Sequence, residues 1–176
     1  QSKSGANLLG GAVGGNKSFL VTAVNLETQI TQSFCGVATT VSVLNALERV
    51  NAPIAPLLTP YRFFTQADIF STDCARSIIT YGESEVFSPL YVGTHGMTLK
   101  QLTDLLACYA HPEVHMGSNL TLKQLRQVLK SAFENDLLVA ENIDRRGMLE
   151  PGVGHFSPLG AYNEDSDSSL ILDVAL

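Results

Sequence analysis

The chain has 176 residues, 45% of them hydrophobic, with 11 basic and 17 acidic side chains and a formal charge of -6, which suits one domain with a sizeable core. The acidic balance and the lack of a long basic run exclude a nucleic-acid footprint. Every apolar run is cut by Thr, Gln, Asn or charge before the roughly 18 to 20 residues that a membrane-spanning helix needs, so the expectation is a soluble protein with a small-molecule or peptide partner.

The first residue is Gln rather than Met, which points to removal of an upstream segment and leaves the compartment open. Residues 1–17 are rich in Gly, Ser, Asn and Ala and read as an N-terminal arm that orders only if packed on the rest, residues 18–176. From Cys35 to about Val50, Val37, Val41, Leu44 and Leu47 keep the three- and four-residue spacing of an amphipathic helix, which begins at a cysteine and ends in three prolines. The stretch from Tyr61 to Ile79 is weakly patterned. Thr98-Leu-Lys-Gln101 and Thr121-Leu-Lys-Gln124 are capping boxes, each followed by a helical apolar face. After Asn135-Asp136 three short strands are expected, over Leu137–Ile143, Gly154–Tyr162 and Leu170–Ala175, with Asn163–Ser169 as the loop between the last two. Helices first and adjacent strands later give an α+β chain, its N-terminal helices packed on a C-terminal antiparallel sheet.

Three cysteines are an odd and small number for a disulfide framework. At least one thiol is expected free, with Cys74 and Cys108 as core or half-buried small hydrophobes that have no role. No CxxC pair occurs, and no histidine stands near a cysteine at zinc-site spacing, so no metal site is expected; Pro112 breaks the helical face that His111 and His115 would need. Cys35 is different. A thiol at a helix N-terminus meets orphan N–H groups and the positive end of the dipole, which favour the thiolate. His155, in Gly152-Val-Gly-His-Phe-Ser-Pro158, is the candidate base, with glycines such as Gly154 leaving room for a substrate to approach the backbone. Asp173, in the apolar run Leu170–Ala175, is the candidate partner of the second ring nitrogen; it shares a sheet face with His155 if the hairpin pairs odd with odd, and a one-residue slip separates them. Gln29 supplies an amide for an oxyanion. Arg145 is expected either to meet a substrate carboxylate or to lie in an exposed turn.

These segments resemble a known family. Gln29-Ile-Thr-Gln-Ser-Phe-Cys-Gly-Val-Ala38 with Leu44-Asn-Ala-Leu47 looks like the nucleophile segment of phytochelatin synthases, and Gly154-His-Phe-Ser-Pro-Leu-Gly-Ala-Tyr162 with Leu170-Ile-Leu-Asp-Val174 looks like their His and Asp segments. The resemblance implies a papain-like fold and a glutathione γ-glutamylcysteinyltransferase with Cys35, His155 and Asp173 as triad and Gln29 at the oxyanion. The substrate would be glutathione or a γ-Glu-Cys peptide, with no required cofactor; cadmium or zinc would enter as a glutathione thiolate complex. The short form is similar to bacterial members, from cytoplasm or periplasm, in which hydrolysis outweighs polymer synthesis. The family's catalytic domain continues past the Asp strand, so this chain reads as truncated at its C-terminal end; a homodimer stays open. The alternatives are a papain-like peptidase or amidase of another substrate, and an inactive relative that binds glutathione or a metal–thiolate complex.

Overall fold

The structure is a computed structural model and describes residues 3–47, 52, 59–78 and 89–175. The expected helix end at 48–50, most of the proline segment and Ile79 lie outside the described residues. Among the described residues, seven helices, α1 (Lys3–Gly10), α2 (Lys17–Ala23), α3 (Cys35–Ala46), α4 (Asp73–Ile78), α5 (Pro89–His95), α6 (Leu99–Ala107) and α7 (Leu122–Glu134), precede an antiparallel sheet of β1 (Val139–Asp144), β2 (Gly154–Asn163) and β3 (Ser168–Ile171), in the order β1-β2-β3. This is the α+β order expected from the sequence.

Helix α3 is the centre of the core. Apart from Asn45 its residues are buried on every side, and its polar members are small. Thr40 donates to the Gly36 carbonyl at 2.8 Å, and Ser42 Oγ accepts from the Glu27 N–H at 3.0 Å, so burial leaves these hydroxyls paired. Both capping boxes form as expected: Thr98 and Thr121 each accept from the N–H three residues on, while Gln101 and Gln124 reach back to the cap. On α7 only Phe133 is buried. The helix is held over the β2–β3 turn by ion pairs of Arg126 with Asp167 and of Lys130 with Glu164.

The N-terminal segment that the sequence suggests as an arm, residues 1–17, carries among its described residues one helix, α1, and the first residue of α2. Its composition hides this because the order comes from tertiary hydrogen bonds. Val13 N–H donates to Tyr162 O at 2.8 Å, and Asn163 Nδ2 donates to Leu8 O at 2.8 Å, fastening the segment to the end of β2.

Cys74 and Cys108 form a disulfide between α4 and the end of α6, with Cα atoms 5.8 Å apart, which corrects their reading as unpaired thiols. An odd count of three is one bridge plus one free thiol, and the free one is Cys35.

Register decides what the sheet can do. Near the turn β2 and β3 pair odd with even, Asn163 with Ser168 and Ala161 with Leu170; the pairing then shifts, and Leu159 lies opposite Ile171. Gly160 is the extra residue of this bulge. A Cβ there would meet Leu172 Cδ1 and Cγ and Phe19 Cδ2, each at 3.2 Å. Below the bulge the strands run odd with odd. The Leu172 N–H donates to Pro158 O at 2.9 Å, which carries the phase on past the end of β3. Phe156 and Val174 consequently join the α3 core, whereas Leu159 and Tyr162, three apart, share a second cluster with Phe133.

Candidate active site

Cys35 is the first residue of α3, and no side chain caps that terminus. Its neighbour Gly36 lets the helix approach closely: a Cβ there would lie 3.3 Å from both Met97 Sδ and Phe156 Cδ2. Burial pushes the thiol up. A hydrogen bond with His155, backbone hydrogen bonds at Phe156 and Gly36 and the imidazolium charge outweigh it and hold the thiol below its ordinary 9.0. The imidazole is buried at 5% exposure. It is raised above 6.5 chiefly by the hydrogen bond to Cys35, against desolvation, and then by its bond to Asp173.

Asp173 Oδ1 lies 2.7 Å from His155 Nε2, which leaves the other ring nitrogen for the thiol. Desolvation works to raise this carboxyl. The Ala175 N–H at 2.8 Å, the His155 bond and charge, and Arg145 together hold it below 3.8. The sequence's odd-with-odd condition is therefore met by the bulge and not by the turn: unbroken continuation of the hairpin register would set 173 opposite 158. The set of thiol, imidazole and carboxylate is equipped for nucleophilic attack and acyl transfer.

The other expected residues fall around this set. Gln29 is buried; its N–H donates to Val174 O at 2.8 Å, and its Nε2 donates to Gln32 O at 2.9 Å, so one of the two amide hydrogens is occupied. Arg145 opens a 3-10 turn after β1. Its guanidinium is engaged by Asp173 Oδ2 at 2.6 Å and Glu150 Oε2 at 3.0 Å, so it serves the carboxylate side of the site rather than standing open. Gly154 opens β2 opposite Asp144, exposed, with Asn142 Oδ1 3.6 Å from where its Cβ would be.

Two residues were missed. Ser157 Oγ lies 3.1 Å from His155 Nε2 and donates to Asp173 Oδ1 at 3.4 Å, bracing the pair from the next position on β2; its i+2 spacing from His155 is the signal that could have found it. Glu141 pairs with Ser157 across β1–β2. Its carboxyl is raised by burial to about 7, with His155 pulling it down.

A buried helix-terminal thiol beside a carboxylate-held imidazole is the geometry that a cysteine nucleophile requires. Comparison with known proteins makes the family specific. The phytochelatin synthase family model matches residues 1–176, and the chain belongs to that family. It is 30% identical over 161 residues to glutathione gamma-glutamylcysteinyltransferase 1 of Lotus japonicus, covering 90% of this chain and 29% of that protein. The enzyme of the same name from Triticum aestivum is 31% identical over 152 residues, 85% of this chain and 27% of that protein. Glutathione gamma-glutamylcysteinyltransferase of Schizosaccharomyces pombe is 25% identical over 172 residues, 90% of this chain and 35% of its own length. The chain thus spans about a third or less of these relatives. Among the described residues no helix is long and apolar enough to cross a membrane.

Proposed function

We propose that this chain is a papain-like catalytic unit that transfers the γ-Glu-Cys group of glutathione. The observation that carries the reading is Cys35 at the start of a buried helix together with His155, whose Nε2 is held by Asp173 Oδ1 at 2.7 Å. The Cys35 thiolate attacks the carbonyl of the Cys–Gly bond of glutathione. The charge on the tetrahedral oxygen is met by backbone N–H groups at the start of α3, with Gln29 as the side-chain donor through its remaining amide hydrogen. His155 passes its proton to the departing glycine amine, the C–N bond breaks, and a γ-Glu-Cys thioester on Cys35 remains. Water or the amine of a second glutathione then attacks the thioester, giving up a proton to His155, and the thiolate leaves. Asp173 keeps the ring oriented and its charge stabilises the imidazolium, while Arg145 and Ser157 fix Asp173.

Hydrolysis is the favoured outcome in this reading. Water competes at about 55 M, and a second glutathione at millimolar concentration needs a built acceptor pocket to match it; the arginine beside the triad, Arg145, is already engaged by two carboxylates. Cadmium or zinc takes part as a thiolate complex of the substrate.

Incubation with glutathione, with and without cadmium, followed by mass spectrometry tests the whole reading. Glycine and γ-Glu-Cys are expected in excess over (γ-Glu-Cys)-repeat peptides, and Cys35→Ala releases no glycine. Dominant repeat peptides would refute the preference for water, and absence of glycine release from the wild type would refute the substrate.

A further inference from the structure

Glu141 lies in the sheet with its Oε1 sealed from solvent and, among the described residues, without a hydrogen-bond partner. Its position is fixed by register. Glu141 pairs with Ser157 on β2, and below the bulge Ser157 is in phase with Asp173, so Glu141, Ser157 and Asp173 form one row across the sheet. His155 is two residues from Ser157 on the same face, diagonal to Glu141, a placement of about 7–8 Å that a long side chain can bridge. The Glu141 side chain is partly buried, and removal of its Oε1 from water is unfavourable to the carboxylate and raises it, while the charge of His155 acts in the opposite direction. The titratable and charged groups gathered at this end of the sheet are His155 on β2, Cys35 at the start of α3, Asp173 beyond β3, Arg145 after β1 with its second partner Glu150, and Asp144 at the end of β1, which is paired with Arg146. Asp173 divides its charge between His155 and Arg145, so the carboxylate that holds Nε2 is partly neutralised from its other oxygen.

We propose that Glu141 is a positioning residue that acts through His155: ionised, it adds a second negative charge beside the ring, favours the imidazolium and so sustains the Cys35 thiolate paired with it. The inference rests on Cys35 and His155 being nucleophile and base. Its effect on the thiolate itself would be repulsive, but Glu141 shares a sheet face with His155 through its pairing with Ser157 while Cys35 stands on α3, so the imidazole is the group it acts on first and the net effect favours the charge-separated pair. Protonation of Glu141 withdraws this support as the pH falls through about 7.

The test needs no glutathione. Cys35 is the free cysteine, so iodoacetamide reports its thiolate directly, and the His155 ring can be followed by NMR and assigned by its loss in His155→Gln. Glu141→Gln, close in shape and uncharged, should lower the pH at which the His155 ring loses its proton by about half to one pH unit, a three- to tenfold loss of proton affinity. It should also slow alkylation near pH 7.5 by a similar factor, and Glu141→Asp, which keeps the charge, should recover at least half of both effects. Identical titration and alkylation in wild type and Glu141→Gln would overturn the role of Glu141, as would a loss in Glu141→Gln that Glu141→Asp shares in full. A wild-type thiol that alkylates only near its ordinary 9.0 would instead overturn the Cys35–His155 pair itself, whatever glutathione does.

Discussion

Replacing Glu141 by Gln should stabilise the protein in a pH-dependent way. The carboxyl is raised from 4.5 to about 7 because folding removes it from water. The sign follows from linkage: a carboxyl with a raised folded-state value binds protons more tightly in the native state, so stability is undiminished below 4.5, falls as the pH rises through the interval to about 7, and stays lowered above it. At about 1.4 kcal/mol per tenfold change in proton affinity the full difference is roughly 3 kcal/mol, and partial exposure of the side chain reduces it to about 2 kcal/mol. Glu141→Gln removes that cost. In a domain of this size each 1 kcal/mol moves Tm by about 2–4 °C, so the variant should melt about 4–8 °C above wild type at pH 8 and level with it at pH 4. Thermal unfolding by circular dichroism at pH 4, 6 and 8 decides it. An equal difference at all three values, or a lower Tm at pH 8, would refute the reasoning. A more stable but slower variant would mean that the site holds a charge the fold would do better without.

Two further outcomes are expected. Cys74→Ser or Cys108→Ser opens a bridge spanning 34 residues and should cost roughly 3–4 kcal/mol in urea unfolding while leaving Cys35 alkylation intact; unchanged stability would argue against the bridge. Gly160→Ala places a methyl against Leu172 and Phe19 at 3.2 Å and should cost roughly 1–3 kcal/mol with a disproportionate loss of glycine release, since the strain falls on the bulge that phases Asp173; normal stability and activity would show that the bulge accommodates a side chain.

What the sequence disclosed was what neighbouring residues determine. The capping boxes at Thr98 and Thr121 and the start of α3 at Cys35 depend on contacts within a turn, and they appear where expected. The placement of His155 and Asp173 together was legible as a condition on register, but the means of meeting it was not: a bulge at Gly160 depends on how Leu172 and Phe19 pack, which no local pattern encodes. The same holds for the Cys74–Cys108 bridge, for Arg145 bound to an aspartate 28 residues away, and for the fastening of residues 3–17 through Leu8 and Val13. Glu141 stood in an expected strand, and its alternation with Val139 and Ile143 showed that it faced one way; only the pairing with β2 showed that His155 faced the same way.

The bulge gives Asp173 a part in choosing the structure that it serves. A regular hairpin continued from Ala161 and Leu170 would satisfy the same kind of ladder but would place residue 173 opposite Pro158, towards the core now filled by Val174, and would turn Val174 to the side of His155. A carboxylate makes that competing arrangement expensive. An apolar residue at 173 would not, so Asp173→Leu invites a chain with two registers, whereas Asp173→Asn keeps the penalty and isolates the loss of charge. Of the two, only the asparagine variant measures what the carboxylate contributes to the imidazole.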